Sequence, residues 1–364
     1  MGDFGSTPAV YSARPRITLD GTARPVLAAE GLLTLLVEET TDGLYRCEAT
    51  FGNWGPSGDG APNFAFFDRQ TFDFGTRLVL EAGAGGSAAQ LFDGVITGLE
   101  AHYPNARPPE LTVLAEDRLQ DLRMTRRTRT FEDVTTEDVL NQVASEHGLQ
   151  AVLDVPAEPS YAVLAQVNQS DLAFLRDRVR SVDAEVWITG DTLHAQRRGD
   201  RREDEVTLTY GQGLREFSVL ADLAHQCTAF VVSGWDSEAK ERITGRADEQ
   251  AVQGETDGGE SGPAILQAAF GDRIEQMVHT VPFTEAEARP HAEAAFRKRA
   301  RRFVEGRGVA LGDARLRVGA RVTLRGLGRL FNGAYTVVGV QHTFDIPTGF
   351  RTRFDVQRPA IDVP

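Results

Sequence analysis

The fold is decided by residues 77–117, which read RLVLEAGAGGSAAQLFDGVITGLEAHYPNARPPELTVLAED, because a similar stretch occurs near the C-terminus. The second stretch, residues 321–360, reads RVTLRGLGRLFNGAYTVVGVQHTFDIPTGFRTRFDVQRPA. Each has a strand pattern, a glycine-containing turn, Leu-Phe-(Asp/Asn)-Gly and a strand with threonine. Two hairpins of similar composition can align by chance, but the shared string favours a duplicated β unit. The matched residues are Leu91, Phe92, Asp93, Gly94 and Thr97 in the first stretch and Leu330, Phe331, Asn332, Gly333 and Thr336 in the second.

The spacing of the two copies, about 240 residues, is far longer than the period of a solenoid repeat. A chain that contains two copies of one β unit can combine threefold with approximate sixfold symmetry, since three chains around an axis present six similar units. The duplication therefore predicts a ring of three chains with pseudo-sixfold symmetry.

Short apolar or alternating runs, interrupted by Gly, Pro, Asn and Asp, dominate both ends of the chain. This pattern predicts two related β-barrel domains, at residues 16–125 and 201–364, after an N-terminal arm at residues 1–15. Residues 126–200 are predicted to form a small α+β domain. The predicted fold class is therefore mainly β with an α+β insertion.

Local signals support the α+β domain. Thr135 and Ser170 stand where they can cap two amphipathic helices. Gly190-Asp191, between two strand runs, is a two-residue hairpin signal. The domain is therefore predicted to contain two capped helices and a hairpin.

Two segments of the second β domain depart from the strand pattern. Residues 236–262 are polar, charged and rich in glycine, which predicts a long exposed loop that is partly disordered. A helix is predicted at about residues 285–304, with Thr284 and Glu287 forming a capping box. Pro290 inside this pattern is expected to kink the helix or shift its start.

Composition and charge limit the classes of function. The 364-residue chain has a formal charge of -14 at pH 7, which argues against nucleic-acid binding because phosphate contacts need a basic surface. No apolar run approaches the ~18 residues that a membrane helix needs, so no membrane insertion is expected. The N-terminus lacks the features of a signal peptide. Cys47 and Cys227 are too far apart for a metal motif, which predicts reduced, structural cysteines in a cytoplasmic protein.

The chain shows no recognisable catalytic grouping. The seven histidines have no ligand spacing, and His147 is expected to interact with a helix end. There is no G-x-S-x-G elbow and no P-loop. We therefore expect no catalytic residue, no cofactor site and no metal site.

The three tryptophans have different sequence contexts. Trp187 and Trp235 lie in strand runs and are predicted to pack in the core. Trp54 lies in a Gly/Pro-rich loop, where an exposed aromatic side chain could anchor a neighbouring subunit.

Several segments resemble one family in the same order along the chain. Residues 127–149, RTRTFEDVTTEDVLNQVASEHGL, and 168–198, NQSDLAFLRDRVRSVDAEVWITGDTLHAQRR, resemble the middle domain of the phage late control gene D and VgrG families. Residues 218–243 and 331–358 resemble the segments that follow. The resemblance extends over roughly residues 70–360.

The resemblance implies a homotrimeric baseplate hub of a contractile phage tail or extracellular injection system, with two related β-barrel domains in each chain. Such a hub joins a hexameric inner tube to a trimeric spike. VgrG chains continue into an OB domain and a β-helical spike, whereas this sequence ends with FDVQRPAIDVP. The implied partners are therefore a second and third copy of the chain, a separate spike protein, the inner tube protein and other baseplate components. The implied location is the cytoplasm during assembly and then the baseplate of the particle.

Two alternative functions are kept open. A tail-associated enzyme that degrades the cell wall needs two carboxyl groups facing one cleft at roughly 5–10 Å. A monomeric carbohydrate-binding β module needs an exposed strip of aromatic side chains.

Overall fold

The computed structural model describes residues 14–56, 62–83, 89–156, 158–201, 203–236, 239–277, 282 and 284–362. Three regions follow one another along the chain. They are called here the N-terminal β unit, the middle domain and the C-terminal β unit.

The N-terminal β unit consists of strands whose residues alternate between the core and the outer face. In the strand at Arg77–Ala82, for example, Leu78 and Leu80 are buried while their neighbours are not. This period of two is the pattern that a sheet with one covered face requires. The strands are β1 (Arg16–Leu19), β2 (Thr22–Ala23), β3 (Leu32–Thr40), β4 (Arg46–Gly52), β5 (Gly55–Pro56), β6 (Pro62–Asn63), β7 (Arg77–Ala82), β8 (Ala89–His102) and β9 (Glu110–Glu116), and a turn of π-helix spans Leu27–Gly31.

The middle domain packs two capped helices against short strands. Thr135 accepts a hydrogen bond from the backbone N–H of Asp138, and Ser170 accepts one from that of Ala173. Gly190 and Asp191 form the predicted two-residue turn between two antiparallel strands, so both caps and the hairpin are confirmed. The elements are α1 (Leu119–Arg123), β10 (Arg126–Val134), α2 (Thr136–Glu146), β11 (Gln150–Asp154), β12 (Tyr161–Ser170), α3 (Asp171–Ser181), β13 (Ala184–Thr189) and β14 (Thr192–Arg197).

The C-terminal β unit is interrupted by an inserted segment, residues 222–303, which has its own small sheet and core. Strands of the unit itself stand before and after the insertion. The elements are β15 (Glu205–Thr209), β16 (Leu214–Ala221), β17 (Ala229–Asp236), β18 (Glu241–Asp248), β19 (Glu260–Ser261), α4 (Gly262–Phe270), β20 (Ile274–Met277), α5 (Glu285–Ala300), β21 (Val304–Leu311), β22 (Arg321–Arg325), β23 (Gly333–Asp345), β24 (Gly349–Arg358) and β25 (Ala360–Ile361), with short 3-10 turns at Glu249–Ala251, Gln253–Glu255 and Arg301–Phe303.

The prediction of a long exposed loop at residues 236–262 is wrong for residues 241–248. Residues 241–248 form β18, which pairs with β17 along its whole length. Ile243, Gly245 and Ala247 of β18 are buried in alternation with polar residues. The polar residues give the segment its loop-like composition, but they occupy only the outer face of a strand.

Helix α5 begins and ends close to its predicted bounds. Thr284 accepts a hydrogen bond from the backbone N–H of Glu287, so it is the N-cap, and the helix ends at Ala300. Pro290 lies inside the helix without moving its start. The helix packs on β17 and β18 and closes the core of the insertion.

We predict that Gly245→Ala destabilises the insertion. A Cβ at Gly245 would lie 2.2 Å from the backbone carbonyl oxygen of Ala288 in α5, so the helix would have to move away from the strand. Overpacking of this kind costs about 1–3 kcal/mol, which chemical denaturation can measure. Gly52→Ala is the matched control, because a Cβ there meets nothing within 4 Å. Equal stability of the two variants would contradict the prediction.

Strands of both β units join in one sheet of 13 strands. Its main path runs in the order β16-β21-β24-β23-β3-β4-β9-β8-β7-β1-β2, and β22 and β15 branch from β23. The mainly β class is confirmed. Two separate barrel domains are not confirmed, because in the described residues the strands of both units form a single open sheet.

Burial corrects one of the tryptophan predictions. Trp187 is 7% exposed and belongs to the core of the N-terminal unit, as predicted. Trp235 is 58% exposed, because it lies near the end of β17 and faces solvent opposite Arg242 of β18. None of the described helices is long and apolar enough to span a membrane.

Candidate functional site

The two β units have the same strand order. Adjacent strands of the N-terminal unit follow the order β3-β4-β9-β8-β7-β1, and those of the C-terminal unit follow β16-β21-β24-β23-β22-β15. In both units, the strands in these positions also come in the same order along the chain. The units differ in one ladder, since β1 and β7 are antiparallel whereas β15 and β22 are parallel.

The hydrogen-bond registers of the two units also coincide. The register shifts between Ile96 and Gly98 in β8, and between Val337 and Gly339 in β23. A second pair of shifts occurs near the start of β3, after Leu32, and near the start of β16, after Leu214. A β-bulge is a specific local feature of a ladder, so two bulges at matching places are strong evidence for one repeated unit.

Turn contacts repeat in the same way. Gly75 donates to the carbonyl of Ile96 at 2.8 Å, and Gly319 donates to the carbonyl of Val337 at 2.9 Å. These contacts make Ile96 equivalent to Val337, an offset of 241 residues that the β8–β9 and β23–β24 ladders share.

This equivalence differs by two residues from the string match, which aligns Gly94 with Gly333. Leu91 and Phe92 are buried in β8, whereas Leu330 is 45% exposed in the turn before β23. Aligning the two Leu-Phe-(Asp/Asn)-Gly stretches by sequence therefore identifies the right pair of hairpins but not the equivalent residues. Of the other matched residues, Asp93, Gly94 and Thr97 lie in β8, Phe331 and Asn332 lie in the turn, and Gly333 and Thr336 lie in β23.

The two units meet along β3 and β23, which are antiparallel neighbours from Thr34 to Thr40 and from Gly339 to Asp345. On the core side, Leu35 lies opposite Phe344 and Val37 lies opposite His342, and all four side chains are buried. On the other side, Gln341 donates a hydrogen bond of 3.0 Å to Glu38. The chain thus already contains one complete junction between two copies of the unit.

A buried ion pair reinforces this junction. Glu39 of β3 is 1% exposed and pairs with Arg317 from the C-terminal unit. The backbone N–H of Val318 donates to the same carboxylate at 3.2 Å. Burial raises the pKa of Glu39, and Arg317 opposes that shift by favouring the charged form. The charged form of this carboxylate is therefore stabilised by a side chain from the other unit.

Arg201, at the end of the middle domain, ties this domain to the N-terminal β unit. Its guanidinium lies 4.0 Å from the centre of the Trp187 ring and donates to the Tyr45 hydroxyl at 3.0 Å. It also pairs with Glu185 at 3.3 Å. Burial raises the pKa of Tyr45 to about 12, so the hydroxyl stays neutral and accepts this hydrogen bond.

Arg301 connects the insertion to the middle domain. It pairs through two nitrogens with Asp183, which follows α3, and its Nε donates to Glu255 at 2.6 Å. Burial raises the pKa of Asp183, and the positive charge of Arg301 opposes the shift. A bidentate arginine–carboxylate pair of this kind fixes the relative orientation of the two segments and also neutralises the buried charges.

An exposed aromatic surface surrounds Trp54. Trp54 is 50% exposed, and its ring lies 5.6 Å from that of Phe64. The Phe64 ring lies 5.1 Å from Phe67 and 6.3 Å from Tyr103. Tyr103 is 63% exposed and directly follows β8. Clustered exposed aromatic side chains are typical of a contact surface.

The histidine and the two cysteines considered in the sequence analysis lie at helix ends or in the protein interior. His147 caps the end of α2, as predicted, and its ring nitrogens lie 2.9 Å from carboxylate oxygens of Asp121 and Asp171. Cys47 and Cys227 are free and buried. In the described part of the chain, no group of three or more His, Cys, Asp or Glu side chains is placed to hold a metal ion.

A family model described as the Alg8 N-terminal domain matches residues 57–345. The chain belongs to this family. No curated protein sequence matches the chain significantly.

Solved structures with the same fold come from phage tails and secretion systems. The 43 kDa tail protein of prophage MuSo2 from Shewanella oneidensis has a TM-score of 0.69 at 11% identity, over 96% of this chain and 100% of that protein. A tail protein from Neisseria meningitidis MC58 has a TM-score of 0.65 at 10% identity, over 96% and 97% of the two chains.

The third structure is a type VI secretion component from E. coli, described as structurally similar to the T4 phage tail proteins gp27 and gp5. It has a TM-score of 0.57 at 12% identity, over 94% of this chain and 76% of its own. The chain therefore has a fold that phage tail proteins and a type VI secretion component share.

The sequence did not reveal the residues that hold the units together. Glu39, Arg201 and Arg317 lie far apart in the sequence and in no motif, so only the folded sheet shows that they meet. The one available signal was the acid at Glu39, which continues the core-facing alternation of Leu35 and Val37.

Proposed function

We propose that the chain is the baseplate hub of a contractile, tail-like injection particle, related to the late control gene D and VgrG hubs. The observation that carries the proposal is the repeated β unit, with matching strand order and matching bulges, joined edge to edge within one chain. Three such chains around an axis provide six similar units on one face and a threefold arrangement on the other. The hub would thereby join a sixfold inner tube to a threefold spike.

The partners follow from this role. They are two further copies of the chain, a threefold spike, the inner tube protein and other baseplate components. The exposed aromatic surface around Trp54 is proposed as part of the contact between copies. The hub would assemble in the cytoplasm and then remain in the baseplate of the particle.

We also propose that the chain acts by assembly and not as an enzyme. The carboxylates of Asp183 and Glu255 approach each other at Arg301, where both are held by hydrogen bonds to the guanidinium. Such carboxylates serve as fixed ion-pair partners. Clearing of a peptidoglycan suspension by the purified protein would contradict this proposal.

The mass and symmetry of the purified protein test the proposed role. Native mass spectrometry is expected to show about 119 kDa, three times the 39.7 kDa of one chain. Electron micrographs viewed along the axis should show six similar lobes around a lumen. A monomer at every concentration, or a twofold dimer, would contradict the hub proposal.

A further inference from the structure

The sheet has two unpaired strand edges, and the junction inside the chain shows how they fit together. Among the described residues, β16 pairs with β21 and, apart from a single bridge between Tyr210 and Leu214 at its start, has no other strand neighbour. In β8, residues 98–102 pair with β9 but have no strand neighbour on the other side within the described part of the chain, because the β7 ladder ends at Val95. Exposed edges of this kind readily pair with another strand.

These two edges are the repeat equivalents of the two strands that form the internal junction. Ladder register makes β16 equivalent to β3, with Leu214 at the place of Leu32. It makes residues 98–103 equivalent to 339–344 of β23. Inside the chain β3 and β23 are already paired, whereas the equivalent pair, β16 and β8, is not.

We propose that β16 of one copy pairs antiparallel with the C-terminal half of β8 of the next copy, in the register of the internal junction. This inference rests on the proposed hub function and specifies its subunit contact. Transferring the β3–β23 register places Leu220 opposite Glu100, Val219 opposite Ala101 and Phe217 opposite Tyr103 of the neighbouring copy. The ladder would end at Tyr103, because Pro104 has no N–H to donate.

Burial supports this register. Leu35, Val37 and Glu39 are fully buried at the internal junction. Their equivalents Phe217, Val219 and Ala221 are only half-buried, although they pack against the core of their own unit.

On the other edge, Leu99 is half-buried and Tyr103 is 63% exposed. Pairing would therefore cover an apolar row on each edge, and Phe217 would meet the aromatic surface that contains Tyr103. Aromatic cross-strand pairs are among the favourable ones.

The strand count agrees with a ring that has a lumen. Eight strands lie on the sheet path from β16 to β8, so three copies would supply 24. With strands about 4.8 Å apart, the backbone ring would be about 37 Å across even without strand tilt. A ring of that width is too wide to be filled by side chains.

Engineered disulfides test the register. In the double variant Glu100→Cys and Leu220→Cys, oxidised glutathione is expected to link neighbouring copies into a covalent trimer on a non-reducing gel. Within one chain, β16 and β8 lie seven strands apart on the sheet path and do not pair in the described residues. A disulfide within one chain would leave a monomer on the gel, so only links between copies produce the trimer. The native cysteines are buried and can remain.

Two matched variants control the experiment. Glu38→Cys with Gln341→Cys places the same pair at the internal junction and should form a disulfide within one chain. Glu100→Cys with Val219→Cys shifts the register by one residue. The thiols then point to opposite faces of the sheet, so linked species should be about tenfold fewer.

The outcomes separate this proposal from the hub function. A trimer by mass in which the Glu100 and Leu220 cysteines fail to link, or in which the shifted pair links equally well, overturns the edge pairing and leaves the hub intact. A ladder of linked species beyond the trimer keeps the pairing and overturns the closed ring. Monomers without links at any concentration overturn both.

Discussion

Replacing Arg301 with methionine is expected to lower the free energy of unfolding by about 3–5 kcal/mol, because one partner of a buried ion pair is lost while the other stays buried. Arg301 is 4% exposed, and Asp183 is 8% exposed. Methionine keeps much of the aliphatic volume, so the change is mainly the loss of the guanidinium. Urea denaturation of the purified variant measures the effect.

Two controls identify the cause. Arg302→Met changes the neighbouring arginine, whose side chain is 52% exposed, and is expected to stay within about 0.5 kcal/mol of the unchanged protein. The double variant Asp183→Leu with Arg301→Met removes both charges and should lose less stability than Arg301→Met alone. If the double variant is the less stable of the two, charge burial is not the cause.

The second large effect depends on pH and comes from His342 at the internal junction. The imidazole is fully buried, stacks on Phe350 and bonds to Thr352 through Nδ1 at 3.0 Å. Burial, aided by the positive charge of Arg317, lowers the pKa of His342 to about 3. In the unfolded chain a histidine titrates near pH 6.5, so the two states bind protons differently between these values.

As the pH falls below about 6.5, the unfolded state takes up a proton that the folded state refuses, and stability falls by about 1.4 kcal/mol per pH unit. His342→Gln has no such group. Between pH 6.5 and pH 4, the unchanged protein should therefore lose about 3 kcal/mol of unfolding free energy relative to the His342→Gln variant.

The comparison of two proteins matters, because other groups titrate in the same window. Burial raises the pKa of Asp117 to about 7, which makes stability rise as the pH falls. That contribution is the same in both proteins and cancels in the difference. Parallel stability curves for the unchanged protein and the His342→Gln variant would contradict the assignment of the pH dependence to this residue.

Local features of the fold could be predicted from the sequence. Thr135, Ser170 and the Gly190-Asp191 turn act within a few residues of themselves, so their roles do not depend on distant contacts. The duplication was also visible, since both copies keep the composition of the same hairpin. In each case the signal and the structure it predicts occupy the same short stretch.

Other features depend on neighbours that are distant in sequence. The two-residue displacement of the repeat arises because the string match follows similar letters, whereas equivalence is set by ladders with bulges at Thr97 and Val338. Strand β18 exists because it pairs with β17 and because α5 covers one of its faces. Its polar composition conceals both contacts. Trp235 resembles a core residue until its position near the end of β17 is known.

The pairing of β3 with β23 has no sequence signal of its own. It requires strands from both units to lie side by side, and Glu39 becomes a buried ion only there. For the same reason, the open edges of β8 and β16 could be recognised only after the closed junction had been seen.

The inserted segment 222–303 has one last consequence. Its counterpart in the N-terminal unit is the short turn at residues 41–45, between β3 and β4. In the proposed assembly, bulky and bare positions would therefore alternate around the circumference. Six similar β units would line the inside of the ring. Its outer surface would carry only three projections, and these would be available to components with threefold symmetry.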